Sequence, residues 1–383
     1  MSQLNVQNLS NENEDGAPEI ANISDFSATS YMCPPKGTTA QRPSNPNPGD
    51  LRFNTDTASL EYYKGNTIGW TQIEMTSPDL DGGARGLFGL GFISPTGTNQ
   101  INFITIPTLG NAIDFGDLTA ATKQFGVASS KSRCVFYHGA DGNGPGESNI
   151  IDYVTFSSTG NALDFGDATG NSRSHGGMSN QTRGVFAGGY TEPASPYYTN
   201  RTDYIEFSST GNAVDFGDIS SVAGARVPAS FSSSTRGIMG LSRGFINTTE
   251  YITIATTGNA QDFGDRSAVT DYPTGAANST RGLFAGGMTP GDTANNIIDY
   301  ITIATTGNST NFGDLVTTSS RFVGATSSPT RAAFAGGITP SASDVIQYVQ
   351  ILTTGNSVDF GNLTSAASFG ASGGTSSNAH GGL

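Results

Sequence analysis

The chain repeats itself. An aromatic residue stands seven positions before a Gly-Asn pair at six places: Phe103 before Gly110, Tyr153 before Gly160, Tyr204 before Gly211, Tyr251 before Gly258, Tyr300 before Gly307 and Tyr348 before Gly355. A second landmark, "DFGD" or a near copy, starts at Asp114, Asp164, Asp215, Asp262, Asn311 and Asp359, so successive starts lie 50, 51, 47, 49 and 48 residues apart. A period of this size means one supersecondary unit stacked on its neighbours, and it is too long for a leucine-rich repeat. No stretch carries a useful helical periodicity.

One copy is enough to read the unit. "DYITIATTGN" sets Tyr300 and Thr302 against Ile301 and Ile303 at period two, which predicts a strand. Its Gly-Asn end is a turn signal with room for positive φ. "RGLFAGG", 281–287, predicts a short inner strand whose paired glycines let backbones crowd together. "NFGDL" predicts a short outer strand, and the stretch between copies, as at 319–330, supplies a fourth. Four short strands per unit fit a blade of a β-propeller, so the expectation is an all-β fold with six blades.

The repeated side chains are expected to hold blades together. Phe88, Phe136, Phe186, Phe284 and Phe334, with Met239 in the sixth place, should lie between blades, as should the "DFGD" phenylalanines. Arg85, Arg133, Arg183, Arg236, Arg281 and Arg331 open the inner strands and are expected to pair with a "DFGD" carboxylate, a ring of ligand-binding arginines being the alternative. The tail, 368–378, is an orphan fourth strand, and the first unit lacks one; the tail should complete it and remove both exposed edges.

Ahead of the repeats, "LRFNT", "LEYYKG" and "GWTQIE" read as a hairpin with a returning strand. Residues 1–35 are polar and Asn-rich, too poor in apolar groups to fold alone, and are expected to be an extended anchoring segment. The expected domains are 1–35, a small β module at 36–80, and the propeller at 81–383.

Two resemblances follow from these residues. The repeats resemble the Kelch family of propellers, with Gly286-Gly287, Tyr300 and Phe312 in one copy and Gly336-Gly337, Tyr348 and Phe360 in the next. This covers 83–383, although Phe stands where Kelch blades usually carry Trp, and the first blade lacks the full Gly-Gly. The amino-terminal module resembles one common in bacteriophage tail-fibre and other virion structural proteins. The matching positions are Gln41, Arg42, Pro43, Gly49, Arg52, Asn54, Leu60, Glu61, Tyr62, Tyr63, Gly65, Trp70 and Ile73. Together they make the chain similar to virion structural proteins of cyanophage type. The resemblance implies location in the virion as a short fibre or appendage on head, neck or tail. It implies attachment to other phage structural proteins and a homotrimer formed through the amino-terminal region. Gln41, Arg42, Pro43, Arg52, Tyr62, Tyr63 and Trp70 would belong to the virion-anchoring module, and the propeller would serve host adhesion or particle decoration.

Charge narrows the partners. Eighteen Lys and Arg against 32 Asp and Glu give a net charge of −14 and a pI near 4.5, which opposes phosphate backbones and anionic lipid. No run of 18 apolar residues suggests membrane insertion, and the first residues do not read as a signal peptide. Cys33 and Cys134 lie in different expected domains, so no disulfide framework follows. His138, His175 and His380 are too few and too scattered for a zinc site, and the loops at Asp79 and Asp141 lack the calcium-loop pattern. No cofactor and no enzymatic activity are expected. Two alternatives stand beside that reading. One is a lectin-like, receptor-binding adhesin whose contacts to a host surface glycan come from Tyr137, His138, Tyr190, Tyr197 and Tyr198. The other is a glycan-degrading enzyme, which would need converging carboxylates.

Overall fold

A computed structural model describes residues 34–57, 59–72, 85–144, 146–192, 197–219 and 224–372. Those residues are all-β, arranged in many small antiparallel sheets as in a β-propeller, with one 3-10 turn at Thr39–Gln41. The chain divides into two compact units, Met1–Thr76 and Ser77–Leu383.

The first unit is a four-stranded sheet. Lys36–Gly37 runs parallel to Leu51–Asn54, which pairs antiparallel with Ser59–Tyr63, which pairs in turn with Trp70–Gln72. The last two strands are joined by a turn in which the Lys64 amide donates to the Gly69 carbonyl. Alternation sends Arg52, Asn54, Glu61 and Tyr63 inward. The expected hairpin and its returning strand are these three strands.

Among the described residues, the second unit contains six sheets of four or five strands, one per copy of the repeat, and a two-stranded ribbon. The fifth copy is representative: Thr274–Ala277, Arg281–Ala285, Ile297–Thr302 and Thr310–Asp314 pair antiparallel in chain order. Its first strand comes from the stretch between copies, and such first strands pack side by side around one axis. The "RGLFA" strand, expected as an inner strand, is therefore second from the axis. Small residues such as Gly275, Ala276 and Ala277 occupy the crowded position instead.

Each sheet buries its face against the next. The third and fourth share a cluster with Met178, Val185, Phe216, Met239 and Ile252, and the fourth and fifth share one with Phe231, Ile238, Phe263, Phe284 and Ile301. The sixth returns to the first through Val323, Ile346 and Phe360 packed with Phe88, Ile104 and Ile106. The "DFGD" phenylalanines and the second-strand aromatics lie in these clusters, as their repetition suggested. Within each sheet the "DFGD" ring meets the third-strand aromatic edge-on: Tyr300 and Phe312 have centroids 6.1 Å apart at 77°.

The tail departs from expectation. Ser368 exchanges backbone hydrogen bonds with Phe92 of the first sheet. Ala371–Ser372 then pairs parallel with Phe125–Ser129 of the second sheet, not antiparallel with the first sheet's Arg85–Gly89. Gly370 lies where a side chain would strike the carbonyls of Gly89 and Val323, which seats the tail between the first and sixth sheets near the axis. The rest of the expected strand, beyond 372, lies outside the described residues.

Candidate functional site

The repeated polar residues must be accounted for before a site can be recognised. Each second-strand arginine lies over the aromatic ring of its own third strand; Arg281 stands 4.4 Å from the Tyr300 centroid and Arg183 4.3 Å from that of Tyr204. From there the guanidinium donates across the joint to a main-chain carbonyl. Arg85 reaches Phe156, Arg133 reaches Phe207, Arg236 reaches Ile303 and Arg281 reaches Ile351, at 2.6–3.0 Å. Arg331 of the last sheet reaches Ile106 of the first at 3.0 Å. The expected partner, a "DFGD" carboxylate, is at the wrong end of the sheet. Arg183 faces Glu206 in the ladder, whereas Asp218 faces Arg201.

The Gly-Asn pair forms a second latch. Asn308 Oδ1 accepts the Asp265 amide at 3.0 Å, and Asn161, Asn212, Asn259 and Asn356 do the same for Asp117, Asp167, Asp218 and Asp314. Asn111 closes the series on Asn362. A third set links Thr119, Thr169 and Ser267 to Asp152, Asp203 and Asp299 of the following sheet. Three third-strand carboxylates, Asp152, Asp203 and Asp299, are thus engaged in joints, whereas the "DFGD" aspartates enter the joints through their backbone amides.

Tyr137 and His138 are likewise interior. Tyr137 is 2% exposed, stacks on His175 at 3.7 Å and hydrogen-bonds Gly170 and Ser172; burial pushes its phenol up. His138 is 1% exposed and bonded to Asp152 at 2.7 Å. Burial raises the Asp152 carboxyl, but the hydrogen bonds from His138 and Thr119 outweigh it and hold the group below its ordinary value. Neither Tyr137 nor His138 reaches a surface that a glycan could touch. Burial also lowers His175 to about 3, and its Nε2 lies 3.0 Å from the Gly126 amide nitrogen and 2.9 Å from the Tyr137 carbonyl oxygen.

What remains unexplained by the scaffold gathers at one end of the axis. Gln124, Ser174, Pro228, Tyr272, Arg321 and Phe369 line a cavity of about 20 Å³, space for a single water. Around it, Arg173 lies 4.8 Å from the Tyr190 ring, and Arg226 lies 4.9, 5.4 and 5.2 Å from Tyr190, Tyr198 and Tyr272. Arg243 covers Tyr198 at 5.3 Å, and Arg321 covers Tyr272 and Phe369 at 5.8 and 5.2 Å. Tyr197, half exposed, lies parallel to Tyr190 within 13° at 6.0 Å. Tyr190, Tyr197 and Tyr198 are therefore brought together. Their arginine partners were missed because they sit outside the repeated positions, in segments that differ from copy to copy.

In the first unit, the singled-out residues meet around one carboxylate. Glu61, fully buried, accepts from Arg42 at 2.6 Å, Arg52 at 3.0 Å and Asn54 at 3.1 Å, and the hydrogen bond from Arg42 is the main cause holding its carboxyl below the usual range. Gln41 Oε1 accepts from the Thr38 amide at 2.9 Å, and Arg52 donates to the Thr38 carbonyl at 3.1 Å. Tyr63 packs against Trp70 at 5.5 Å, and Lys64 lies over Tyr62 at 5.2 Å. Pro43 is exposed.

Among the described residues no cluster of His, Cys, Asp and Glu could hold a metal, and Cys134 is a buried free thiol. Cys33, Ile73, Asp79 and His380 lie outside them. The runs "GLSRG", 240–244, and "GASGG", 370–374, have the spacing of a nucleophile elbow; in the first, Ser242 is buried at the end of a strand with no helix after it, and the second runs beyond the described residues. No family model matches the chain, and neither does any curated protein.

Proposed function

We propose that the chain is a structural protein of a bacteriophage particle of cyanophage type. Its amino-terminal unit fastens it to other virion proteins, and a six-bladed, Kelch-like β-propeller is displayed for adhesion or decoration. The reading is carried by the first unit: Arg42, Arg52, Asn54 and Glu61, part of the fibre-module resemblance, form its buried polar core. A buried carboxylate held by two guanidiniums and an amide specifies one fold for a module too small for a large apolar core. The six sheets, with the sixth latched to the first, support the propeller. The "DFGD" carboxylates recur once per sheet, and Asp152, Asp203 and Asp299 are engaged in joints, which supports a non-enzymatic role over a glycan hydrolase needing two converging carboxylates. The anchor is trimeric in this reading, and each propeller closes on itself.

The test is to express 1–76 and 77–383 separately and incubate each with particles lacking the protein. Attachment should reside in the first piece, which should sediment as a trimer, while the second stays monomeric. Attachment through the second piece would overturn the polarity.

A further inference from the structure

We propose that the rim of the axial cavity binds a saccharide bearing an anionic substituent, a carboxylate or a sulfate ester. This rests on the outward display of the second unit proposed above. The arginines of the joints are consumed by main-chain carbonyls; those of the rim are not. Arg173 is paired with Glu147 and Glu192 at 3.6 and 3.1 Å, and Arg226 with Asp271 at 3.3 Å. Arg243 and Arg321 make no ion pair with the described residues, and Arg321 Nε is buried without a hydrogen-bond partner. An unpaired buried donor costs free energy that an arriving anion would recover.

The backbone adds a second observation. Gln124, Ser174, Tyr272, Arg321 and Phe369 have φ between 50° and 58°, and all line the cavity. Glycine would hold that conformation without the strain these side chains incur. Instead the chain carries large side chains at four of these positions, Gln124, Tyr272, Arg321 and Phe369, around the cavity. The rings provide the rest of the chemistry. Tyr190, Tyr197 and Tyr198 form a partly exposed aromatic platform beside the cations, which suits the apolar face of a pyranose while guanidiniums take its charged group. The cavity admits only water, so the sugar would lie across the rim, with its charged groups along the arginines that cover Tyr198 and Tyr272. The net charge of −14 does not forbid this, because at physiological salt charges beyond about 8 Å are largely screened.

The test is calorimetric titration of the full chain with three probes: an oligogalacturonate, a sulfated galactan oligosaccharide and a neutral galactan oligosaccharide. At least one charged probe should bind about tenfold or more tightly than the neutral one, and the two charged arms tell carboxylate from sulfate. Arg243→Gln, on an exposed side chain, should weaken binding about fivefold or more with unchanged melting, as for loss of one charged contact. Tyr197→Ala should also weaken it. No binding of either charged probe at millimolar concentration, equal binding of the neutral probe, or an unaffected Arg243→Gln variant would overturn the proposal. Particle attachment is scored separately on 1–76, so failure here leaves that reading standing.

Discussion

At the scale of single residues, burial decides which groups are scaffold. His175 lowered to about 3 stays neutral in the folded chain, whereas the unfolded chain takes up a proton below its ordinary 6.5. The unfolded state therefore binds more protons between those values, and stability falls as pH drops through that window. Between pH 6.5 and 4.5 the loss is about 2 kcal/mol, building towards 1.36 kcal/mol per unit below the unfolded value. Chemical denaturation across that range should show the slope, and His175→Gln should flatten it. Arg281 stacks on a ring of its own sheet and donates one charged hydrogen bond to the next. Arg281→Ala should cost about 2–3 kcal/mol, the sum typical of those two contacts, and Arg281→Lys should recover only part of it. Urea unfolding of the three proteins checks the order.

At the scale of the element, the repeat is a latch as much as a set of strands. A Cβ on Gly264, at φ 141°, would sit 2.5 Å from the Gly307 carbonyl oxygen, while Asn308 takes the Asp265 amide. Gly264→Ala should cost roughly 3 kcal/mol, at the upper end for overpacking. Asn308→Ala should cost about 1 kcal/mol, and Asn308→Asp, which keeps the acceptor, less. Differential scanning calorimetry would rank them. Strand content was legible because alternation and turn residues are local signals, and the position of Phe312 or Phe360 between sheets followed from repetition. The destination of Arg281 was not legible, since a guanidinium spanning a joint reads in sequence like one seeking a carboxylate. Strand order about the axis was also hidden, because Gly286 and Gly287 advertise crowding more loudly than Thr274–Ala277. At the rim, tyrosines showed in the sequence; Arg226, Arg243 and Arg321 did not, because only folding brings their separate loops together.

At the scale of the whole molecule, the two ends of the repeated region meet without a covalent bond. Removing 368–383 would free the amides of Phe92 and Gln124, which donate to Ser368 and Phe369 carbonyls. The truncated chain should melt well below the full one and aggregate; an equally stable, monodisperse product would mean that the tail is dispensable. The single tryptophan, Trp70, lies in the first unit, so circular dichroism rather than tryptophan emission must follow this loss. The latches also have an orientation. Every sheet gives with one side and receives with the other, so a segment carrying only a few copies has an unanswered giver at one end and an unanswered receiver at the other. Its nearest complement in solution is another such segment, and head-to-tail contacts of that kind either close on themselves or grow into fibres. Intact, the chain escapes polymerisation by meeting its own beginning; nicked or half-made, it becomes a building block.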